Sequence, residues 1–281
     1  MVALALDVGA TKAAAARVST DGTVLARGDV PTGGSDDPFP RIADLLRSIA
    51  HGDEEVCGIG TAGPMTVRGE HVSPVNLPAW RDFPLRERVA SVTGLPTFLD
   101  GDGKALALAE GRFGAARGVD DYVAMVVSTG VGGGIVVGGV LLDGATGNAG
   151  HVGHVIVEPD GRLCGCGARG CLEAEVSGTA IRAITGRPPE DADDAMRRRA
   201  GRLTGLGVAS LVNLLGLRLA VVAGSVALGY GDVFFDAAQA ELDGRARLSF
   251  AAGARVVPST LADAPLLGAA CVGWRGKDRS R

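Results

Sequence analysis

The chain has no excess of positive charge. Its 281 residues carry 28 Lys and Arg against 32 Asp and Glu, a formal charge of −4. No basic field is available to hold a phosphate backbone, which argues against nucleic-acid binding through a surface patch. It also lacks a basic n-region, because the apolar run Val2 to Leu6 is broken at once by Asp7. Neither a signal peptide nor an anchor is expected there, and the expected location is the cytoplasm. A long uninterrupted apolar span is missing too. Gly205 to Gly229 carries only Arg218 as a charge, but two patterns meet inside it. Leu206, Ala209, Leu211, Val212, Leu214 and Leu215 suit a helix, whereas Leu219 to Ala223 is a β-rich run closed by Gly224. This stretch reads as a buried helix followed by a buried strand rather than a membrane span. Finally, no disulfide frame is present. The five cysteines are an odd number, and Cys164, Cys166 and Cys171 lie within eight residues, a cluster better suited to metal ligation than to cross-linking in a chain without an export signal.

What the chain does contain is enough apolar material, 46% of residues, to rule out disorder and to build one large or two ordinary domains burying roughly three quarters of the unfolded surface. It also contains a repeat. Ala3 to Asp7, the turn Val8 to Lys12, Ala13 to Val18, Asp21-Gly22 and Thr23 to Ala26 form one copy. Tyr122 to Val127, Ser128 to Gly134, Ile135 to Val137, Gly138-Gly139 and Val140 to Leu142 form the other. Each reads as a three-stranded antiparallel meander with a glycine-bearing first turn.

Alternating segments follow each meander, which indicates α/β layering. In the first half these are a helix over Phe39 to Ala50, a strand over Val56 to Gly60, a helix over Leu85 to Thr93 and a strand over Pro96 to Leu99. A further helix, Lys104 to Phe113, follows a Gly101-Asp102-Gly103 turn. The second half is expected to hold helices over Ala174 to Thr185, Asp191 to Thr204 and Leu206 to Leu215, with strands at Leu219 to Ala223 and Arg255 to Val257. A last helix, Ala264 to Trp274, precedes a charged tail, Arg275 to Arg281, expected to fray. The expected division is a smaller lobe over residues 1–115, with the segment 264–281 packing back on it, and a larger lobe over 116–263.

Two motifs carry chemistry. A glycine turn between strands presents backbone N–H groups with no Cβ in the way, which suits phosphate oxygens. Gly9, Thr11 and Lys12, preceded by Asp7, form one such turn, and Thr129, Gly130, Gly132 and Gly133 form its counterpart. A single turn of this kind is usually only a turn; two at matching places suggest a nucleoside triphosphate. Separately, His154, Cys164, Cys166 and Cys171 offer one imidazole and three thiols within eighteen residues. Four N/S ligands with no vacancy make a structural tetrahedral zinc site, against the alternative of three thiols packed as small apolar groups.

Asp7-Val8-Gly9-Ala10-Thr11-Lys12, Ser128 to Gly134, Gly150-His151-Val152-Gly153-His154 and Cys164-Gly165-Cys166-Gly167-Ala168-Arg169-Gly170-Cys171-Leu172-Glu173-Ala174 together resemble the ROK family of sugar kinases and sugar-responsive repressors, over nearly the whole chain. The resemblance implies an α/β fold of the actin-like, hexokinase-type duplicated class. In that class two lobes, each a mixed sheet flanked by helices, hold sugar and ATP in the cleft between them. Gly101-Asp102-Gly103-Lys104-Ala105 stands in the place of the family's Asn-Asp-Ala-Asn-Ala, so Asp102 falls on the catalytic aspartate, with Asp100 as rival base and a helix N-cap as the plainer role. Asn76, Gly101, Asp102, His151, His154 and Glu173 fall on sugar-contacting positions. Asp7, Gly9, Thr11, Lys12, Thr129, Gly130, Gly132, Gly133 and Gly224 fall on the ATP side, with Mg²⁺ accompanying ATP and zinc structural.

Two departures bear on the acceptor. His151 stands where the family has a glutamate, offering one acceptor in place of a carboxylate, and Gly101 replaces an asparagine. Glucose is the default acceptor, while mannose, an N-acetylhexosamine, an amino sugar or a C7-cyclitol stays open, as does ATP against polyphosphate. Partners are expected to be the sugar or cyclitol, ATP and a second copy of the chain, with no nucleic acid or membrane. The competing classes are a sugar-sensing regulator, disfavoured because only six residues precede Asp7, and a non-catalytic sugar-binding protein.

Overall fold

The two meanders are built from small and β-branched residues on either side of tight turns, a composition that suits antiparallel pairing. The computed structural model describes residues 1–9, 11–34, 37–74 and 77–280. It divides into two compact units, Met1–Ala109 with Asp143–Ala149 and Ala262–Arg281, and Glu110–Leu142 with Gly150–Leu261.

In the first unit β1 (Val2–Val8), β2 (Lys12–Ser19) and β3 (Val24–Pro31) run antiparallel, and β4 (Glu54–Thr61) and β5 (Thr97–Gly101) join parallel to give the order β3-β2-β1-β4-β5. Helices α1 (Phe39–Ile49) and α2 (Leu85–Thr93) match the apolar spacing. They bury Ile42, Leu46, Leu85 and Val89 with Leu4, Leu6, Ile59 and Trp80. The Trp80 indole stacks on Phe83 at 4.4 Å and donates to Asp37 Oδ1 at 2.8 Å, which satisfies its one polar atom. Helix α3 (Asp102–Phe113) begins at Asp102, so the turn expected ahead of Lys104 is instead the first helical turn. Its later residues, from Glu110, belong to the second unit.

The second unit repeats the plan. β6 (Tyr122–Val127), β7 (Val131–Val137) and β8 (Val140–Leu141) are antiparallel, and β9 (Leu219–Ala223) and β10 (Arg255–Pro258) extend them in the order β10-β9-β6-β7-β8. The expected helix over Ala174 to Thr185 is two helices, α4 (Leu172–Val176) and α5 (Gly178–Thr185). Ser177 breaks them apart by adopting extended backbone and accepting the Ala180 N–H on its hydroxyl. Conversely, the two helices expected on either side of Gly205 are one, α6 (Asp194–Leu215).

Gly205 is there for closeness rather than as a stop: a Cβ on it would sit 2.2 Å from the carbonyl oxygen of Ala238. Ala238 lies on α8 (Asp232–Arg245), which follows the short α7 (Ser225–Tyr230); neither α7 nor α8 was expected. The buried Phe234, Ala238 and Leu242 recur every four residues on α8, a one-residue-wide stripe that the apolar residues on the helix's other faces, Phe235, Ala237 and Ala240, keep from standing out in sequence. Among the described residues no helix is long and apolar enough to cross a membrane.

The chain then returns to the first unit with α9 (Ala264–Arg279), which runs past Trp274 through the tail expected to fray. Lys277 pairs with Glu55, and Arg275 and Arg279 pair with Asp143, so the last turns of α9 are held by charge.

Candidate active site

In the first unit β1 delivers Asp7 beside Gly60 of β4, and the turn after it is closed by Gly9 N–H on Lys12 O at 3.0 Å. Thr32, almost wholly buried, donates its hydroxyl to Gly9 O at 2.8 Å and its N–H to Thr11 O at 3.0 Å. Sequence reasoning missed Thr32, whose only signal is a hydroxyl just after a strand. Thr11 and Lys12 are exposed. The Asp7 carboxyl is pushed up to about 7, first by burial, then by the like charge of Asp102, with Lys12 opposing. Asp7 and Asp102 therefore feel one another, and the first glycine turn and the start of α3 share an electrostatic environment.

Asp102 is exposed in the first turn of α3. Its rival Asp100 is buried and engaged: it accepts Lys104 Nζ at 2.8 Å, the Gly101 N–H at 2.9 Å and Arg275 at 3.3 Å. Burial pushes the Asp100 carboxyl up, and Lys104 and Arg275 oppose this. The Asn76 assignment lies outside the described residues. Asn148, which sequence reasoning did not single out, donates to Met65 O at 3.2 Å.

In the second unit the turn between β6 and β7 is shorter than expected. It comprises Ser128, Thr129 and Gly130, closed by Ser128 N–H on Gly130 O at 2.9 Å. Gly132 and Gly133, expected in the turn, lie inside β7 and pair with Val126 and Met125. The structure brings this turn against two other segments, the start of α5 and Gly224-Ser225. Thr179 donates its hydroxyl to Thr129 O at 3.0 Å, and Ser128 Oγ meets Ser225 Oγ at 2.9 Å. Gly224, with φ of 102°, comes so near Val127 that a Cβ would lie 2.3 Å from its carbonyl oxygen.

Val131, the first residue after the turn, is gripped on both sides. Its N–H donates to Glu173 Oε2 at 2.9 Å. Its carbonyl oxygen faces Gly153, where a Cβ would stand only 2.2 Å away. The segment carrying His151 and His154 and the helix carrying Glu173 thus both meet the glycine turn at one residue. The rings of His151 and His154 lie 5.9 Å apart, and His151 is exposed.

His154, Cys164, Cys166 and Cys171 present ligand atoms all within 4.8 Å of one another. The Cys164 Sγ to His154 Nδ1 and Cys166 Sγ to Cys171 Sγ distances are both 3.7 Å. Zn–S bonds of about 2.3 Å in a tetrahedron put sulfurs about 3.8 Å apart, so the donor set and its spacing fit zinc. Burial and the neighbouring sulfurs push the Cys171 thiol up to about 12, while the Ala168 backbone and the other two sulfurs pull Cys166 down. Three crowded sulfurs of this kind require a cation to be thiolates together. Cys171 is also the residue ahead of α4, so the cluster holds the end of the helix that presents Glu173.

The ROK family model matches residues 3–273. The chain belongs to the ROK family. It is 42% identical over 185 residues to a glucokinase from Thermotoga maritima, a match covering 64% of this chain and 58% of that protein. It is 36% identical over 249 residues to an N-acetylmannosamine kinase from Yersinia pseudotuberculosis, covering 81% and 84%. Among solved structures, the ROK glucokinase from Streptomyces griseus in complex with glucose and AMPPNP superposes with a TM-score of 0.84 at 30% identity, covering 98% of this chain and 100% of that one. The two mixed sheets flanked by helices are the actin-like, hexokinase-type fold of this ROK chain.

Proposed function

We propose that this ROK chain is a sugar kinase that transfers the γ-phosphate of ATP to a primary hydroxyl of a hexose or hexose-like acceptor. The observation that carries the reading is the double grip on Val131, where the expected acceptor-binding segment, through Gly153, and Glu173 both bear on the expected phosphate turn. Asp102 is the base in this reading: it is exposed in the first turn of α3, where Oδ1 accepts the Gly103 N–H at 2.7 Å, whereas Asp100 is buried. It accepts the proton of the attacking hydroxyl, while positioning and electrostatics supply most of the rate. In this reading each unit offers its own glycine turn to phosphate: Gly9 with Thr11 and Lys12 in the first, and Gly130 with Thr129 and Gly224 in the second. Mg²⁺ bound with ATP would neutralise phosphate charge, and Asp7, whose ionisation is disfavoured by burial and Asp102, gains most from a cation nearby. His154, Cys164, Cys166 and Cys171 would hold zinc, which supplies a structural tie and no chemistry at the acceptor.

His151, where the family resemblance implies a carboxylate, bears on which acceptor is preferred, with glucose as the default, and the likeness to both a glucokinase and an N-acetylmannosamine kinase fits either a neutral hexose or an N-acetyl sugar. The test is phosphorylation of a panel of hexoses, N-acetylhexosamines, amino sugars and cyclitols with ATP·Mg²⁺ and with polyphosphate, on the native chain and on His151→Glu. The expected result is ATP-dependent phosphorylation of at least one acceptor, with the variant gaining on glucose relative to the native substrate. An unchanged rank order and unchanged ratios would remove the selectivity role; no phosphorylated acceptor at all would remove the kinase reading.

A further inference from the structure

We propose that Lys104 and Arg275 are positioning residues for phosphoryl transfer, clamping the segment that carries Asp102; this rests on the kinase reading above. Asp102 stands at a strand-to-helix junction, between Gly101, the last residue of β5, and Gly103 in the first turn of α3, and neither glycine has a side chain to anchor it. The side chains beyond them supply the anchor. The residues two before and two after, Asp100 and Lys104, are both buried and joined at 2.8 Å.

The Lys104 ammonium has its three donors taken by Asp100 Oδ1 at 2.8 Å, Asp143 Oδ1 at 2.8 Å and Gly147 O at 3.1 Å. A buried ammonium is tolerated only when so satisfied. Arg275 of α9 spans the same two carboxylates, reaching Asp143 Oδ1 and Oδ2 at 3.0 and 2.8 Å and Asp100 Oδ2 at 3.3 Å. Arg279 adds a contact to Asp143 Oδ2 at 2.8 Å. The three cations hold the Asp143 carboxyl well below the usual range despite burial.

All of these residues belong to the first unit, and they come from three separate stretches of chain: the junction of β5 and α3, the segment Asp143–Ala149 and the end of α9. One charge cluster therefore bolts both flanks of the Gly101-Asp102-Gly103 segment to Asp143 and to the last helix. A base displaced by an ångström loses rate rather than affinity, because the attack geometry is what the clamp preserves.

The experiment compares Arg275→Met, Arg275→Lys, Lys104→Met and the control Lys277→Met, whose Glu55 pairing lies elsewhere on α9. It reads kcat, KM for ATP and acceptor, and amide hydrogen exchange over residues 100–104 and 143–149. Arg275→Met is expected to lower kcat by about tenfold to 10²-fold while KM for ATP stays within about twofold, and to speed exchange in both stretches. Arg275→Lys, which keeps the charge but not the fork that spans both carboxylates, should recover only part of kcat, and Lys277→Met should match the native chain. Because Arg275 is partly exposed, its variant reads the clamp even where Lys104→Met fails to fold. A native kcat in Arg275→Met, or a loss that vanishes at a temperature where the variant is fully folded, overturns the proposal. Should the native chain phosphorylate no acceptor, the kinase reading falls by itself, and exchange over 100–104 left unchanged in Arg275→Met still overturns the clamp.

Discussion

At the scale of single residues the site turns on how a few carboxylates are treated. Glu110 is wholly buried and accepts the Ser259 hydroxyl and the Ala115 N–H, so it belongs to the scaffold of the second unit. Glu175, also buried, takes Arg199 at 2.5 Å and the Arg162 N–H at 2.7 Å, fastening the cysteine loop to α6. Asp7 differs because burial and Asp102 raise it from the ordinary 3.8 to about 7. A raised carboxyl means the folded protein holds the proton more tightly than the unfolded chain, so this contribution to stability is present at acid pH and is lost as pH climbs from about 4 to about 7. Denaturant unfolding across that range is expected to show the native chain losing stability relative to Asp7→Asn. A constant difference between the two at every pH would show that Asp7 titrates normally.

At the scale of elements, what the sequence made legible was whatever depended on local pattern. Helices α1 and α2 and strands β1, β2, β6 and β9 lie within a residue or two of their expected ends, because alternation, apolar spacing and glycine turns are local signals, whereas β3 runs five residues beyond Ala26 and β7 starts four residues before Ile135. Part of what failed depended on partners distant in sequence. Gly205 resembled a stop until Ala238 was found packed on it, and the charged tail resembled a frayed end because Asp143 and Glu55 are far away along the chain. The four-ligand cluster was legible since its spacing is short. Chelation of the purified protein is expected to release about one equivalent of zinc, lower the unfolding temperature and speed amide exchange over residues 154–173. Less than about half an equivalent of metal, with no loss of stability on chelation, would remove the folding site.

At the scale of the whole molecule, a duplicated strand-meander plan yields two units, each with a glycine turn at the end of its first strand, and each turn is held by hydroxyls that the sequence did not advertise: Thr32 in one, Thr179 and Ser225 in the other. Family membership rests on nearly the full chain, residues 3–273, whereas the roles of individual residues rest on chemistry that the fold permits but does not dictate. The most direct measurement is therefore the steady-state turnover of Asp102→Asn against the native chain, with ATP·Mg²⁺ and the best acceptor from the panel, following ADP and sugar phosphate together. The account predicts one sugar phosphate per ADP, a fall in kcat of about 10² to 10⁴ in the variant, and retained binding of ATP and sugar. Turnover near the native rate in Asp102→Asn, with both ligands still bound, would contradict it.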